Sequence, residues 1–511
     1  MKYISNYLVL ILLAFVFGSC DQEEFLTAEY YQGIVDQTFL TAPSHAKPAV
    51  TGVYDVLSYK GTNWDKMILG SSGADDIVEI HGDANWASLI AIDQYRWTPE
   101  EQGDPKHIWK YWQAYYAGIQ RANLVLEKLP AIEDLNETLK KRYLAEVKAL
   151  RAYYYFNLVT AFDNVPLILK NLGYEESINI TNGTDPEEQA KLVWDQIITD
   201  LDEAAPDLPD SYDSQDDKGR VTKGMVNALL AQTYLWKKDW AKAESYAKKV
   251  IDSPAGYELE PEYADLFNGV SEYTKEAVFT AMRAAGSESQ NIWSDYLDET
   301  NYDVLWGPFA SWSWFYQPDS NFVRHNTYID ATDVRIDTTT LDAIHETYDM
   351  NGDGVIDASD KVPTYSPASG SNIHMMKWVP YGINFSDGGV WSGQHGQVDQ
   401  HLIRLAEVYL DYAEALVHQG RANDALHYIN LVRRRAKASD ITTTNESELL
   451  EIILNERKVE FCFEGKRFFD LKRVGKLKDV LGPLGWKDHM VRYPIPQEEM
   501  DLTKMNQNPG Y

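Results

Sequence analysis

Apolar positions recur three and four residues apart over most of this chain, and the recurrence lapses in two long stretches. From Ser44 onward, Ala46, Val50, Val53, Tyr54 and Leu57 share one face of a 3.6-residue period, which predicts a helix. Residues 60–97 lose the period and are rich in Gly, Asp and Trp. They read as a long loop, and connections of that length in compact domains tend to carry function. Helix signals then follow one another. Thr98-Pro99-Glu100-Glu101 combines a capping residue, a Pro at the first helical position and a Glu three residues after the cap, predicting a helix that ends near Leu129-Pro130. A second helix is predicted over 138–162. Its four adjacent aromatics, Tyr153, Tyr154, Tyr155 and Phe156, point all round the axis, so it is buried on every side. Asp185-Pro186-Glu187-Glu188 repeats the cap design and opens a helix to Ala205. Further helices are predicted over 221–237, 241–252, 401–418, 422–436 and 447–463.

Two of these helix pairs are built alike. Ala231 and Ala243 bracket a turn at Lys238-Asp239, and Ala413 and Ala425 bracket a turn at Gly420-Arg421 with the same spacing. Small residues at those points let antiparallel helices approach closely. This is the logic of tetratricopeptide repeats, which bury their faces by stacking. Trp194, Trp236 and Trp240 fall on helical patterns and read as core. The fold class is mostly α, tetratricopeptide-like helix pairs with a large irregular insertion over 256–400, where short strands and loops are expected.

Within the insertion, residues 291–316 place nine aromatics among Asp, Glu, Asn, Ser and Gly: Trp293, Tyr296, Tyr302, Trp306, Phe309, Trp312, Trp314, Phe315 and Tyr316. Aromatic faces beside short polar side chains suit a ligand with flat apolar faces and a rim of hydroxyls, which is the shape of a sugar ring. Tyr302, Trp306, Phe309 and Tyr316 also fall near helical spacing, which suits a small core beneath a loop. Trp306, Trp312 and Trp314, beside Gly307, Pro308 and Ser residues, are the better platforms; Tyr302, Phe309 and Phe315 are the better core candidates. The first loop adds Asp75, Asp76, Asn85 and Trp86, of which Asp75 and Trp86 suit a transporter-facing role equally well. A third segment adds Trp378, Tyr381, Asn384, Trp391, Gln394 and His395.

The formal charge of −31 excludes nucleic acid as a natural partner, because phosphates would be repelled, and disfavours docking on anionic lipid by charge. A neutral, hydroxyl-rich ligand is compatible with it. The N-terminus reads as export rather than fold. Lys2 precedes an apolar run from Leu8 to Phe17, too short to span a bilayer, and Phe17-Gly18-Ser19-Cys20 resembles a bacterial lipobox. That reading makes 1–19 a signal peptide, Cys20 the lipidated first residue and 20–43 a flexible lead-in, with one domain over 44–511. Asp21-Gln22-Glu23-Glu24 resembles an acidic signal for export to the outer face of the outer membrane. After processing, only Cys462 remains as a thiol, so no intrachain disulfide can form.

The sharpest local motif runs from Asp349 to Asp360, DMNGDGVIDASD. It matches an EF-hand calcium loop: side-chain oxygens from Asp349, Asn351, Asp353, Asp357 and Asp360, a carbonyl from Val355, and Gly354 at the sharp turn. Asp360 stands where the archetype has Glu, and no good exiting helix follows, so an isolated structural Ca2+ loop is expected. Enzymatic motifs are lacking: there is no G-x-S-x-G, no P-loop and no H-E-x-x-H.

Several blocks together resemble one family. They are Ala145-Glu146-Val147-Lys148-Ala149-Leu150-Arg151-Ala152-Tyr153-Tyr154-Tyr155-Phe156, Lys218-Gly219-Arg220-Val221-Thr222-Lys223-Gly224, and His401 through Leu410 running into Tyr412-Ala413-Glu414-Ala415. Glu456-Arg457, Phe463-Glu464-Gly465-Lys466-Arg467-Phe468-Phe469-Asp470-Leu471-Lys472-Arg473, Tyr493-Pro494-Ile495-Pro496 and the terminal Gln507-Asn508-Pro509-Gly510-Tyr511 complete the set. With Cys20 they resemble the SusD/RagB-like outer-membrane lipoproteins across the mature chain. The resemblance implies a SusD-like α-α superhelix, no catalysis, capture of an oligo- or polysaccharide at the cell surface, and delivery to a SusC-like TonB-dependent transporter. A peptide-binding lid of the same fold, or an interaction scaffold built on the repeats, are the alternatives. The shared motifs read as structural: Glu456, Arg457, Arg467, Asp470 and Arg473 as ion pairs fixing the last helices, and Gly465 as a helix C-cap. The glycan contacts are expected where the sequence is individual, at Asp75, Trp86, Trp293, Tyr296, Trp306, Trp312, Trp314, Tyr381 and Trp391.

Overall fold

The computed structural model describes residues 40–79, 87–103, 106–267, 274–282, 316–318, 330, 332–342, 373–375, 377 and 399–511. Its longer helices are α1 (Pro43–Asp55), α2 (Ala87–Asp93), α3 (His107–Lys128), α4 (Glu137–Phe162), α5 (Pro186–Ala204), α6 (Lys223–Trp236), α7 (Trp240–Ile251), α8 (Leu405–Val417), α9 (Ala422–Arg435), α10 (Glu446–Glu460) and α11 (Arg467–Val474). Among the described residues six short strands accompany them: β1 (Ile77–Glu79), β2 (Ala277–Ala281), β3 (Tyr316–Pro318), β4 (Thr340–Asp342), β5 (Ile373–Met375) and β6 (Gln400–Arg404).

The helices stack in succession, α3 on α4, α4 on α5, α6 on α7 and α8 on α9. The stack continues from α7 directly onto α8, although residues 252–404 lie between them in the chain. The insertion therefore leaves the stack at one seam and returns to the same seam. Its neck is closed by β2 and β6, which pair antiparallel with Ala277 opposite Arg404 and Ala281 opposite Gln400. Ala231, Ala243, Ala413 and Ala425 are fully buried at the helix contacts, as close approach requires.

Helix starts follow local chemistry. Asn136 accepts a hydrogen bond from Leu139 N–H at 3.0 Å, and Asp185 accepts from Glu187 and Glu188 N–H at 2.8 and 3.3 Å. In α4, Tyr154 donates its hydroxyl to the Val53 carbonyl at 2.5 Å and Tyr155 to the Ile168 carbonyl at 2.8 Å, so the buried phenols are satisfied rather than stranded.

Four expectations are corrected. The capping box at Thr98 opens no helix: α3 begins at His107, and Glu101 caps it from the preceding turn by accepting from Ile108 and Trp109 N–H at 3.0 and 2.8 Å. Residues 401–404 are strand rather than helix, because β2 offers them ladder partners that the sequence alone does not reveal. The described part of 60–97 is no exposed loop. Trp64, Ile68, Leu69 and Ile77 sit in the core, on short helical turns that include a π-helical turn at Ile68–Ser72. Gly465 is not the cap of α10, which ends at Glu460; it lies at φ +68° in the turn beyond, where Phe463 is also left-handed at φ +63°.

Candidate ligand-binding site

β1 carries the first loop to the insertion. It pairs antiparallel with β3, Ile77 opposite Pro318 and Glu79 opposite Tyr316. β3 in turn lies against β5, and β5 pairs with β4, Leu341 opposite His374. A first-loop strand thus meets two strands of the insertion that lie more than two hundred residues further along the chain. Each leads directly into one of the aromatic segments singled out above. Trp86 follows β1, Trp312 and Trp314 immediately precede β3, and Trp378 and Tyr381 follow β5.

The base of this junction is held by charge. Asp75, two residues before β1, accepts from Arg467 Nε at 2.6 Å and from Lys458 Nζ at 2.7 Å. Burial pushes its carboxyl up, but the two cations outweigh that and hold it down at about 2. Asp76 next to it is fully buried, and among the described residues no cation pairs with it; burial and the Asp75 charge push it up to about 7. Tyr95 donates its hydroxyl to the Ala74 carbonyl at 2.9 Å. Asp75, expected to read ligand hydroxyls, is thus engaged within the fold: both its oxygens are taken by Arg467 and Lys458.

The insertion is held to the helices by a second, fully buried network that sequence reasoning missed. Arg404, at the end of β6, donates to Glu276 at 2.7 Å, Glu460 at 2.9 Å and Glu464 at 2.7 Å. Arg335 bridges Asp333 at 2.6 Å to Glu456 and Glu460 on α10. Arg435 reaches Glu276 at 2.9 Å, and Lys377 donates to Glu464 at 2.7 Å and to the Cys462 carbonyl at 3.0 Å. Burial works against ionisation of Glu464, yet Arg404 and Lys377 hold it down at about 2. Charges this deep cost much desolvation and persist only because each is paired several times. The one visible hint was an Arg within the apolar run of 401–410.

Around α10 and α11 the expected ion pairs are present. Arg457 donates to Glu407 at 3.1 Å, Asp411 at 2.7 Å and Asp470 at 2.9 Å; Arg473 pairs with Glu414; Glu456 pairs with Arg335 and Arg433. Cys462 is buried. Trp194 packs on the core and stacks with Trp236, centroids 5.9 Å apart. Trp194, Trp236 and Trp240 are all half buried, and Trp240, like Trp194, packs against the core.

Cys20, Trp86, Trp293, Tyr296, Trp306, Trp312, Trp314, Tyr381 and Trp391 lie outside the described residues, as do the calcium-loop positions Asp349, Asn351, Asp353, Val355, Asp357 and Asp360.

The described residues thus form a stacked-helix scaffold with one long insertion between α7 and α8, whose strands meet a strand of the first loop. The SusD family model matches residues 255–488, and a second model, described as starch-binding associating with outer membrane, matches residues 24–235. The chain belongs to the SusD/RagB family. It is 26% identical to SusD-like protein P2 of Formosa agariphila over the full length of both chains. It is 28% identical to the starch-binding protein SusD of Bacteroides thetaiotaomicron, over 81% of this chain and 80% of that one. Among solved structures, a laminarin binding SusD-like protein superposes with a TM-score of 0.75 at 28% identity, covering 92% of this chain and 100% of the other. Surface glycan-binding protein A from Bacteroides thetaiotaomicron, in complex with laminarihexaose, shares the fold with a TM-score of 0.76 at 24% identity, again over 92% and 100%.

Proposed function

We propose that this protein captures an oligo- or polysaccharide at the outer membrane without chemical conversion. It holds the glycan on the aromatic segments of the insertion and delivers it to a SusC-like TonB-dependent transporter. The observation that carries this reading is the β1–β3–β5 junction, where three strands meet whose flanking sequence holds Trp86, Trp312 and Trp314, and Trp378 and Tyr381. Relatives named for binding starch and laminarin support the ligand class. Stacking on a sugar face and solvent-competed hydrogen bonds each contribute little net free energy, so several platforms must act together and a single site binds weakly. Lipidation at Cys20 anchors the chain to the membrane, and the Asp349–Asp360 loop, with calcium bound, stiffens the insertion.

Affinity electrophoresis through gels containing starch or laminarin tests the proposal. Retardation of the wild-type chain by at least one of them is expected. Trp312→Ala or Trp306→Ala is expected to abolish it, with the thermal unfolding midpoint nearly unchanged. A loss of stability equal to the loss of binding would return these residues to the core.

A further inference from the structure

A cavity of about 570 Å³ lies between the α6–α7 turn, the end of α8, α10 and α11, and none of its lining residues belongs to the β1–β3–β5 junction. That volume is within the range of about 300–1,000 Å³ usual for small-molecule sites. One part of its wall is aromatic. Trp240, the first residue of α7, lies flat on His418 at the end of α8, ring centroids 3.8 Å apart and planes 12° apart. Leu450 and Leu454, one turn apart on α10, and Val474 at the end of α11 add apolar surface.

The charges in the lining are unequal in their freedom. Arg473 is held by Glu414, and Lys476 by Glu451 at 2.7 Å. Partial desolvation lowers the pKa of the exposed His418 below its ordinary value, which disfavours a positive charge there. Lys238 is different. It is exposed, and among the described residues no carboxylate pairs with it. Its backbone is nevertheless set: at φ +56° its amide donates to the Leu235 carbonyl at 3.0 Å, closing the turn between α6 and α7. The cavity thus presents one uncompensated cation beside an aromatic and aliphatic surface, on a chain whose formal charge is −31. Glu414 and Glu451 in the same lining oppose a polyanion, so the fit is to a ligand carrying a single negative group.

We propose that this cavity is a second binding site, for a short saccharide bearing one carboxylate or sulfate: its ring C–H face packs on the Trp240–His418 pair and the α10 leucines, and its anion is received by Lys238. The site is separate from the junction that carries the proposed glycan capture, and either can fail without the other.

Titration calorimetry on the full chain in detergent, with galacturonic acid, glucose 6-sulfate and neutral maltose as ligands, tests it. At least one anionic sugar is expected to bind, and which one distinguishes carboxylate from sulfate. Lys238→Glu, at an exposed turn, is expected to weaken that binding by about tenfold or more, with any maltose binding unchanged. Trp240→Leu is expected to weaken it as well. Because Trp240 contributes to packing, Lys238→Glu decides where the two variants differ. No binding of either anion up to about 10 mM, or binding that Lys238→Glu leaves intact, would overturn the proposal.

Discussion

Asp75 and Asp76 are neighbours in sequence and opposites in environment. Asp75 faces Arg467 and Lys458 and is ionised far below the usual range; Asp76 is buried behind it and titrates near 7. The two make opposite contributions to stability. Asp75 stabilises the fold above its unfolded pKa, and that contribution is lost as pH falls toward 2. Asp76 has a folded pKa raised above its unfolded value, so its contribution is complete below about pH 4 and is lost as pH rises through 7. Asp76→Asn keeps the shape and removes the titration. Urea unfolding at pH 5 and pH 8 is expected to show a smaller loss of stability in the variant than in the wild type, by on the order of 1–3 kcal/mol. Glu101, also raised to about 7 by burial, retains its own contribution in both proteins, so the comparison is made between them rather than within one. An equal loss in both proteins would show that Asp76 is already charged in the fold at pH 5.

Among the elements, the π-helical turn at Ile68–Ser72 sets how closely the first-loop segment lies on the C-terminal helices. Gly70 within it faces Gly465: a Cβ on Gly70 would stand 1.9 Å from the Gly465 carbonyl oxygen. Backbone occupies that space, so no side-chain rotation relieves the overlap. Gly70→Ala is expected to destabilise the chain by about 1–3 kcal/mol, read from chemical denaturation. It is also expected to weaken glycan retention, because β1 begins only a few residues beyond. A variant with wild-type stability would mean that the two segments separate readily. At the same scale, Glu101 shows how a cap can act from outside its helix. The residues of a capping box were present at Thr98–Glu101, yet the helix starts where Glu101 can reach the free N–H groups, not where the motif begins.

Over the whole molecule, the described parts of the insertion form a charged root on the helical stack. β2 and β6 close the neck of the insertion, Arg404, Arg335 and Lys377 tie it to α10 and the turn beyond, and Arg435 of α9 reaches Glu276. Stiffening beyond that root falls to the proposed calcium loop. With an affinity on the order of 10⁻⁴ M, calcium at about a hundredfold excess over the dissociation constant stabilises the bound state by about 2.7 kcal/mol. A chelator is therefore expected to lower the melting temperature of the wild type and to leave Asp349→Ala unaffected. Equal melting with and without chelator in the wild type would remove the metal from the account.

The period of the apolar residues, the small residues at the helix contacts and the caps at Asn136 and Asp185 determined the helical stack, because they act within one helix or between neighbours in the chain. The ion pairs of α10 and α11 were legible for a similar reason: Arg457 and Asp470 belong to adjacent elements. Tertiary structure alone decided the rest. Whether 401–404 is helix or strand depends on a partner more than a hundred residues away, and the run is apolar enough for either. Asp75 looked like a ligand contact until Arg467 and Lys458, far along the chain, arrived beside it. The junction of β1, β3 and β5 is likewise a matter of long-range pairing, and no local spacing encodes it. Local chemistry chose which aromatic segments were candidates; long-range pairing decided where the strands beside them meet.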